Sequence, residues 1–437
     1  MGIGAKSMKV AVVGLWHLGS VYAACLAQAG HEVFAYDPNS DTVAALQQGQ
    51  PPIFEPGLQS LLCEGQAAGR LHFSADPTDL TQTNIVWVTF DTPVDNNDVA
   101  DVQLVIREVE AILAHLQDNT LVIISSQVPV STTNQLQTHA NIAFPNKGIT
   151  FACMPENLRL GKAIDVFTHP DRIVIGLDNP QYKSQLEMLL KPFTDNLIWM
   201  SVVSAEMTKH AINAFLAVSV TFINEIAALC ETVGANGREV EIGLKSEERI
   251  GPKAYLRPGD AIAGGTLMRD IHYLTQLGEA KNRDTFLMSA ILESNHYHKQ
   301  WSCRKVASLL KNLQGKTVAM LGLTYKAGTD TLRRSTAIET CEWLHAQGIT
   351  VQAYDPTITV LPAPYSNFIQ LQTSVTDALN LADAVVVSTE WPAFRDLTAD
   401  EFITNLKRPL VIDPSGFIAK NISTDTRIEY FSVGVPS

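Results

Sequence analysis

The chain carries one short pattern twice, once near each end. Lys9–Val13 is an apolar run closed by Gly14-Leu15; a helical stretch follows to about Gly30, then a second run, His31–Tyr36, and Asp37-Pro38. From Lys316 the order returns as K-T-V-A-M-L, Gly322-Leu323, a helix to about Gln347, Thr350–Tyr354 and Asp355-Pro356. The residues A-Y-D-P stand at 35–38 and again at 353–356. An apolar run ending in glycine, then a helix, then another apolar run is how a buried parallel strand passes into its crossover helix. Any two βαβ units share that skeleton, so the repeat alone does not separate a duplication from two independent units. It does predict the fold class: α/β, with two Rossmann-like doubly wound domains. Further strand-like runs at Ile85–Phe90, Leu121–Ser125, Ile149–Phe151 and Arg172–Ile175 extend the first, and Ala384–Ser388 and Leu410–Asp413 the second.

Between the repeats the texture changes. Ala205–Val233 has almost no glycine or proline and is rich in Ala, Leu, Ile and Phe, which predicts one long, largely buried helix. Shorter helices follow to about Leu313, interrupted by a glycine- and proline-bearing loop, Tyr255–Thr266. The reading is three domains, 1–203, 204–313 and 314–437. The unbroken apolar character of the long helix predicts pairing with a second copy, in a homodimer or higher homo-oligomer.

With 46% hydrophobic and 18% charged residues, the 437-residue chain is no disordered or solvating sequence. A net charge of −13 works against nucleic-acid backbones and anionic membranes, but local cations and helix N-termini can still hold a small phosphorylated ligand. The six cysteines, at 25, 63, 153, 230, 303 and 341, form no CxxC pair. They fit neither a zinc site nor a disulfide framework and read as reduced thiols of a cytoplasmic protein; no metal is expected. No apolar run reaches about 18 residues, so no spanning helix is expected. Met1–Ser7 reads as a leader before the first strand, without the apolar region of a signal peptide.

The first glycine turn is G-L-W-H-L-G, Gly14 to Gly19. In the fingerprint G-x-G-x-x-G the first glycine makes the turn, the middle one lets the backbone approach a pyrophosphate, and the third lets helix pack on strand. Trp16 takes the middle place, so the match is partial. The preceding strand, the following helix and Asp37 strengthen it. A carboxylate at Asp37 can accept from a ribose 2′-hydroxyl and would repel a 2′-phosphate, which favours NAD over NADP. Gly14, Gly19 and the amides of His17 and Leu18 are the candidate pyrophosphate contacts. A Rossmann-like domain without a dinucleotide is the alternative.

Longer motifs run in order along the chain: P-I-F-E-P-G-L at 52–58, G-R-L-H-F at 69–73, M-P-E-N-L-R-L-G at 154–161, H-P-D-R-I-V-I-G at 169–176 and K-H-A-I-N-A-F-L at 209–216. N-E-I-A-A-L-C-E at 224–231, Y-L-R-P-G at 255–259, G-L-T-Y-K-A-G-T-D at 322–330 and S-T-E-W at 388–391 follow. By these the sequence resembles the UDP-glucose/GDP-mannose dehydrogenase family from Lys9 to about Asp396. The resemblance implies NAD-dependent oxidation of the C6 alcohol of a nucleotide sugar to a carboxylate, in two hydride transfers, in polysaccharide biosynthesis. It implies that Glu156 activates water or binds sugar, and that Lys209 stabilises a developing oxyanion with Asn213 beside it. Leu158, Tyr255, Leu256, Gly264 and Lys326 fall on substrate positions; Thr92, Gln127 and Arg333 fall on cofactor positions.

The catalytic end departs from the family. Its G-G-x-C-F-P-K-D segment stands here as G-G-T-L-M-R-D, with Thr266 on the nucleophilic cysteine, Arg269 on a lysine at the cofactor, and Asp270 kept. Gln127 replaces a threonine, Leu160 a second glutamate and Trp16 a glycine. A threonine hydroxyl is a far poorer nucleophile than a thiolate unless a base removes its proton, so a thiohemiacetal is not expected at 266. Three outcomes stay open: both oxidations through a hydrated aldehyde, one oxidation to a carbonyl product, or binding without redox activity. Cys153 reads as a buried strand-end thiol rather than a substitute.

Overall fold

The computed structural model describes residues 7–93, 101–156, 158–263 and 265–436. The chain forms two compact units, Met1–Ala211 and Ile212–Ser437. In the first, eight strands form one sheet: β1 (Lys9–Val13), β2 (Glu32–Tyr36), β3 (Leu71–Ser74), β4 (Ile85–Val88), β5 (Leu121–Ile124), β6 (Thr150–Cys153), β7 (Ile173–Leu177) and β8 (Leu197–Met200). Their spatial order is β3-β2-β1-β4-β5-β6-β7-β8. Side chains alternate across a strand, so β1 feeds two cores: Val10 and Val12 pack on one face of the sheet, Ala11 and Val13 on the other. That two-sided burial is why β1, β4 and β5 read as unbroken apolar runs.

The expected strands are present with ends shifted by at most two residues. Two others were not anticipated. β3 (L-H-F-S) alternates, with His72 exposed, and β8 is only partly buried; both lie at sheet edges, where half the side chains meet solvent. The sheet is also not wholly parallel. β7 runs antiparallel to β6, with Cys153 opposite Gly176, while β8 is parallel to β7. An antiparallel element at the edge of a parallel sheet is common in such folds.

The second unit carries β9 (Thr317–Leu321), β10 (Thr350–Tyr354), β11 (Gln370–Leu371), β12 (Ala384–Val387), β13 (Leu410–Ile412) and β14 (Glu429–Phe431) in the order β11-β10-β9-β12-β13-β14, all parallel. The sequence repeat is a repeat of hydrogen bonds as well. Gly14 and Gly322 both have φ +89°. Gly14 N donates to Tyr36 O at 2.9 Å, and Gly322 N to Tyr354 O at 2.8 Å. Asp37 Oδ2 accepts from Leu15 N at 2.7 Å, and Asp355 Oδ2 from Leu323 N at 2.8 Å. In each unit a carboxylate at the end of one strand pins the glycine turn that follows its neighbour.

The long helix spans Val202–Val233, starting three residues before the expected Ala205. By length and composition it could cross a membrane. Glu206, His210, Asn213 and Asn224 along it are nevertheless buried, and each has a hydrogen-bond partner, which makes it a core helix. Thr266, expected at the end of a loop, instead opens the helix Thr266–Ala280.

Candidate active site

The first glycine turn keeps the two glycines that matter sterically. A Cβ on Gly14 would fall 2.7 Å from the Phe90 amide nitrogen, and one on Gly19 would run into Gly14 O. Trp16, at the middle position, has φ −73°, which any residue adopts, and its side chain is 46% exposed. A side chain is therefore tolerated there, and the first-turn amides of His17 and Leu18 keep the orientation that helix geometry gives them, without intrahelical partners. Asp37 is half-buried; its oxygens accept from Leu15 N and Asn39 N and retain lone pairs for a hydroxyl donor. The turn, the helix start and the acid fit a dinucleotide.

Glu55, from P-I-F-E-P-G-L, ties this turn to the loop after β6. The buried carboxylate accepts from His17 Nε2 at 3.0 Å, Gly161 N at 2.8 Å and Ala163 N at 2.8 Å. On the same loop Glu156 Oε2 accepts from Leu158 N at 2.8 Å, and Leu158 packs against the core. Lys209 Nζ donates to Glu156 O at 2.7 Å and lies 3.3 Å from Glu156 Oε1, with both side chains mostly buried. Glu156, Lys209 and Gln127 line one small pocket together with Ser125, Ser126, Cys153 and Glu206. The buried Thr92 hydroxyl donates to Gln127 O at 2.8 Å. Sequence reasoning therefore placed Glu156, Lys209, Gln127 and Thr92 in residues that meet, and it missed Glu206. That carboxylate accepts from Ser131 N at 2.5 Å and Thr133 N at 2.9 Å, and burial pushes its pKa up. Its signal was available: a lone acid inside an apolar helix seldom stands unpaired.

No substitute thiol emerges. Cys153 is buried at the end of β6, where desolvation and then Glu206 push its pKa far above the ordinary range. Burial raises Cys25 to about 12 and Cys303 to about 11. Cys63 is exposed on the helix Leu58–Ala67, away from these groups.

In the second unit the buried Asp270 accepts from Asn213 Nδ2. Thr266 is the exposed first residue of the same helix as Asp270, with Arg269 between them. A cavity of about 340 Å³ is lined by Tyr255, Asp260–Ala263 and Leu267 on one side and by Thr324–Lys326 and Ser335–Ala337 on the other. It gathers Tyr255 and Lys326 as expected. Leu256 is buried and takes no part in the lining. Arg333 is exposed in the turn before the helix Thr336–Ala346. Gly264 lies outside the described residues.

Residues 8–194 match the NAD binding domain of the UDP-glucose/GDP-mannose dehydrogenase family, residues 203–297 its central domain and residues 319–420 its UDP binding domain. The chain belongs to the UDP-glucose/GDP-mannose dehydrogenase family. A UDP-glucose 6-dehydrogenase of Rhizobium meliloti (strain 1021) is 34% identical over 437 residues, covering 98% of this chain and 100% of the relative. The UDP-glucose 6-dehydrogenase YwqF of Bacillus subtilis (strain 168) is 32% identical, covering 98% of each. A solved UDP-glucose dehydrogenase from Pyrobaculum islandicum matches with a TM-score of 0.86 at 26% identity, over 100% of both chains. Membership in the dehydrogenase family makes NAD the cofactor and a nucleotide sugar the substrate class.

Proposed function

We propose that the chain oxidises the C6 alcohol of a UDP-linked hexose, UDP-glucose first among them, to the uronate through a hydrated aldehyde that is never bonded to the protein. One observation carries this reading: Lys209 is held on Glu156 at the end of β6, and Asn213, one turn further along the same helix, is fixed to the buried Asp270. NAD, when bound, accepts a hydride in each oxidation. Lys209 holds the negative charge that develops on the C6 oxygen as its proton leaves. Asn213 and Asp270 orient the hydroxyl. Glu156 activates the water that adds to the aldehyde, and the resulting diol loses a second hydride and a proton to give the acid. Thr266 has no role as a nucleophile in this route.

Residues 1–203 then serve as the cofactor domain, with Gly14, His17, Leu18, Gly19, Asp37, Thr92 and Gln127 at the dinucleotide. Residues 204–313 form the central domain, and residues 314–437 the sugar-nucleotide domain with Lys326. Arg269 and Arg333 complete the cofactor contacts, and Leu158, Tyr255 and Gly264 the substrate contacts; Leu256, buried outside the cavity lining, is not among them. The protein works in the cytoplasm, where six unpaired thiols stay reduced. It acts as a homodimer: Phe215, Phe222 and Leu229 lie exposed at seven-residue spacing on the long helix, an apolar stripe suited to a second copy. Elution only at the 47.7 kDa of one chain would remove that assignment.

A protein that binds the nucleotide sugar without turning it over is the second reading, favoured by Trp16 at the pyrophosphate-side position. Counting NADH per UDP-glucose consumed decides among the outcomes. Two means the uronate, one means a released aldehyde, and none alongside calorimetric binding of UDP-glucose means a binding protein.

A further inference from the structure

The loop that walls the second unit's cavity is not held by its own secondary structure. Residues 259–262 run between helices; Gly259, Ala261 and Ile262 are buried, and buried backbone groups must find partners. Three buried polar side chains from two helices supply them. Asn224, on the long helix, accepts from Gly259 N at 3.0 Å through Oδ1 and donates to Asp260 O at 3.1 Å through Nδ2. Asn295, on the helix Phe286–Lys299, accepts from Ile262 N at 2.8 Å and donates to Ile262 O at 3.1 Å. His298, one turn portion further on, donates from Nε2 to Gly259 O at 2.7 Å. Asn295 thus pairs both backbone groups of a single residue, as a neighbouring strand would.

The side chain of Ile262 completes the anchorage, buried in an apolar cluster with Ala214, Ala217, Ile271 and Ile291. Gly259 itself sits where a Cβ would come within 3.2 Å of Ser415 Cα. Of the clamped residues, Asp260 and Ile262 belong, with Tyr255, to the wall of the cavity facing Lys326, and Gly259 directly precedes them in the chain. None of the three clamping side chains lines it.

We propose that Asn224, Asn295 and His298 are positioning residues that hold this wall in its ligand-binding shape before the ligand arrives, and so set affinity for the nucleoside diphosphate part of the substrate. The inference rests on the reading of the cavity as the UDP-sugar site. A loop already ordered loses no conformational freedom on binding; one freed from its anchors must lose it then, and affinity falls.

UDP and NAD binding are measured separately by calorimetry on the full chain, with thermal melting as the fold control. His298→Leu and Asn295→Asp should each weaken UDP binding by about tenfold or more, the loss expected when a buried hydrogen bond is broken. NAD affinity should stay within about twofold of wild type, a difference too small to count as a lost contact. His298→Gln keeps an N–H donor near the Nε2 position and should restore most of the UDP affinity. Asn295→Asp carries the test if His298→Leu does not fold. His298→Leu or Asn295→Asp protein that melts normally and binds UDP as wild type does would overturn the proposal, and so would equal losses of UDP and NAD affinity, which mark a general structural role. Wild-type protein that binds no UDP would remove the cavity reading itself, and the clamp proposal with it.

Discussion

Replacing Glu55 by glutamine leaves the side-chain volume unchanged and removes one acceptor oxygen. In the wild type Oε1 accepts from Ala163 N, and Oε2 accepts from both Gly161 N and His17 Nε2, with the side chain 1% exposed. Whichever oxygen becomes an NH2, at least one N–H donor then faces another. A hydrogen bond to a charged group contributes about 1.5–3 kcal/mol, and an orphaned buried donor costs about 1–3 kcal/mol. Since part of each loss is recovered by relaxation, a net destabilisation of about 2–4 kcal/mol follows. In a unit of this size each kcal/mol moves the midpoint by about 2–4 °C, so the first calorimetric transition should fall by about 5–15 °C. NAD binding should weaken as well, because His17 opens the helix whose first-turn amides are the proposed phosphate contacts. A drop of less than about 2 °C, below what one lost charged hydrogen bond produces, would refute the claim that this carboxylate ties the turn to the loop after β6.

Lys209→Ala should lower kcat by about a hundredfold while changing the UDP-glucose dissociation constant far less, since its charge matters most as the C6 oxygen becomes anionic; equal losses in steady-state kinetics and calorimetry would reduce it to a binding residue. Burial lowers the pKa of His298, with Arg304 adding to the shift and Gly259 O and Glu231 opposing it. Below the ordinary histidine pKa of about 6.5 the unfolded chain takes up a proton that the folded chain refuses, so stability falls with falling pH by at most about 1.4 kcal/mol per unit. Melting of His298→Gln against pH should show a shallower acid limb. Gly14→Ala and Gly322→Ala each place a Cβ at φ +89° against Phe90 or Thr389. Left-handed backbone and overpacking together should cost about 2–5 kcal/mol, read as a lower melting midpoint for both.

The repeated turn was legible because two rare requirements coincide there: a glycine at positive φ and an acid that accepts from the amide of the residue after it. Both left the same letters at 14–15 with 35–38 and at 322–323 with 353–356. The long helix was legible from composition, apart from its first turn. The direction of β7 was not, because an apolar run fits either direction and the path of the preceding chain decides. β3 and β8 were missed for a different reason: edge strands bury only part of their side chains, and their patterns are weak. Within the site, Glu156 and Lys209 were visible only through long motifs. Glu206, Asn295 and His298 stand in none of the motifs, and Asn224 opens N-E-I-A-A-L-C-E with no role attached to it, because a polar residue on an apolar helix reveals that it has a partner and not which loop supplies it.

The substitutions divide the reaction chemically. Taking a proton and a hydride from an alcohol needs charge stabilisation and orientation, and in the proposed route Lys209, Asn213 and Asp270 supply both. Holding the aldehyde through a second oxidation normally needs a thiolate, and position 266 offers only a hydroxyl at a helix start. Burial has raised the thiols of Cys25, Cys153, Cys303 and Cys341 beyond use near neutral pH, Cys230 is buried on the long helix, and Cys63 is exposed on the helix Leu58–Ala67. With no covalent tether, the aldehyde's fate becomes a competition between hydration in place and departure. Any feature that slows departure favours the acid, and, with the cavity read as the proposed sugar-nucleotide site, the clamped wall is such a feature. The number of NADH formed per sugar should therefore fall from two towards one in variants that loosen the loop at 259–262, even where the first oxidation is untouched.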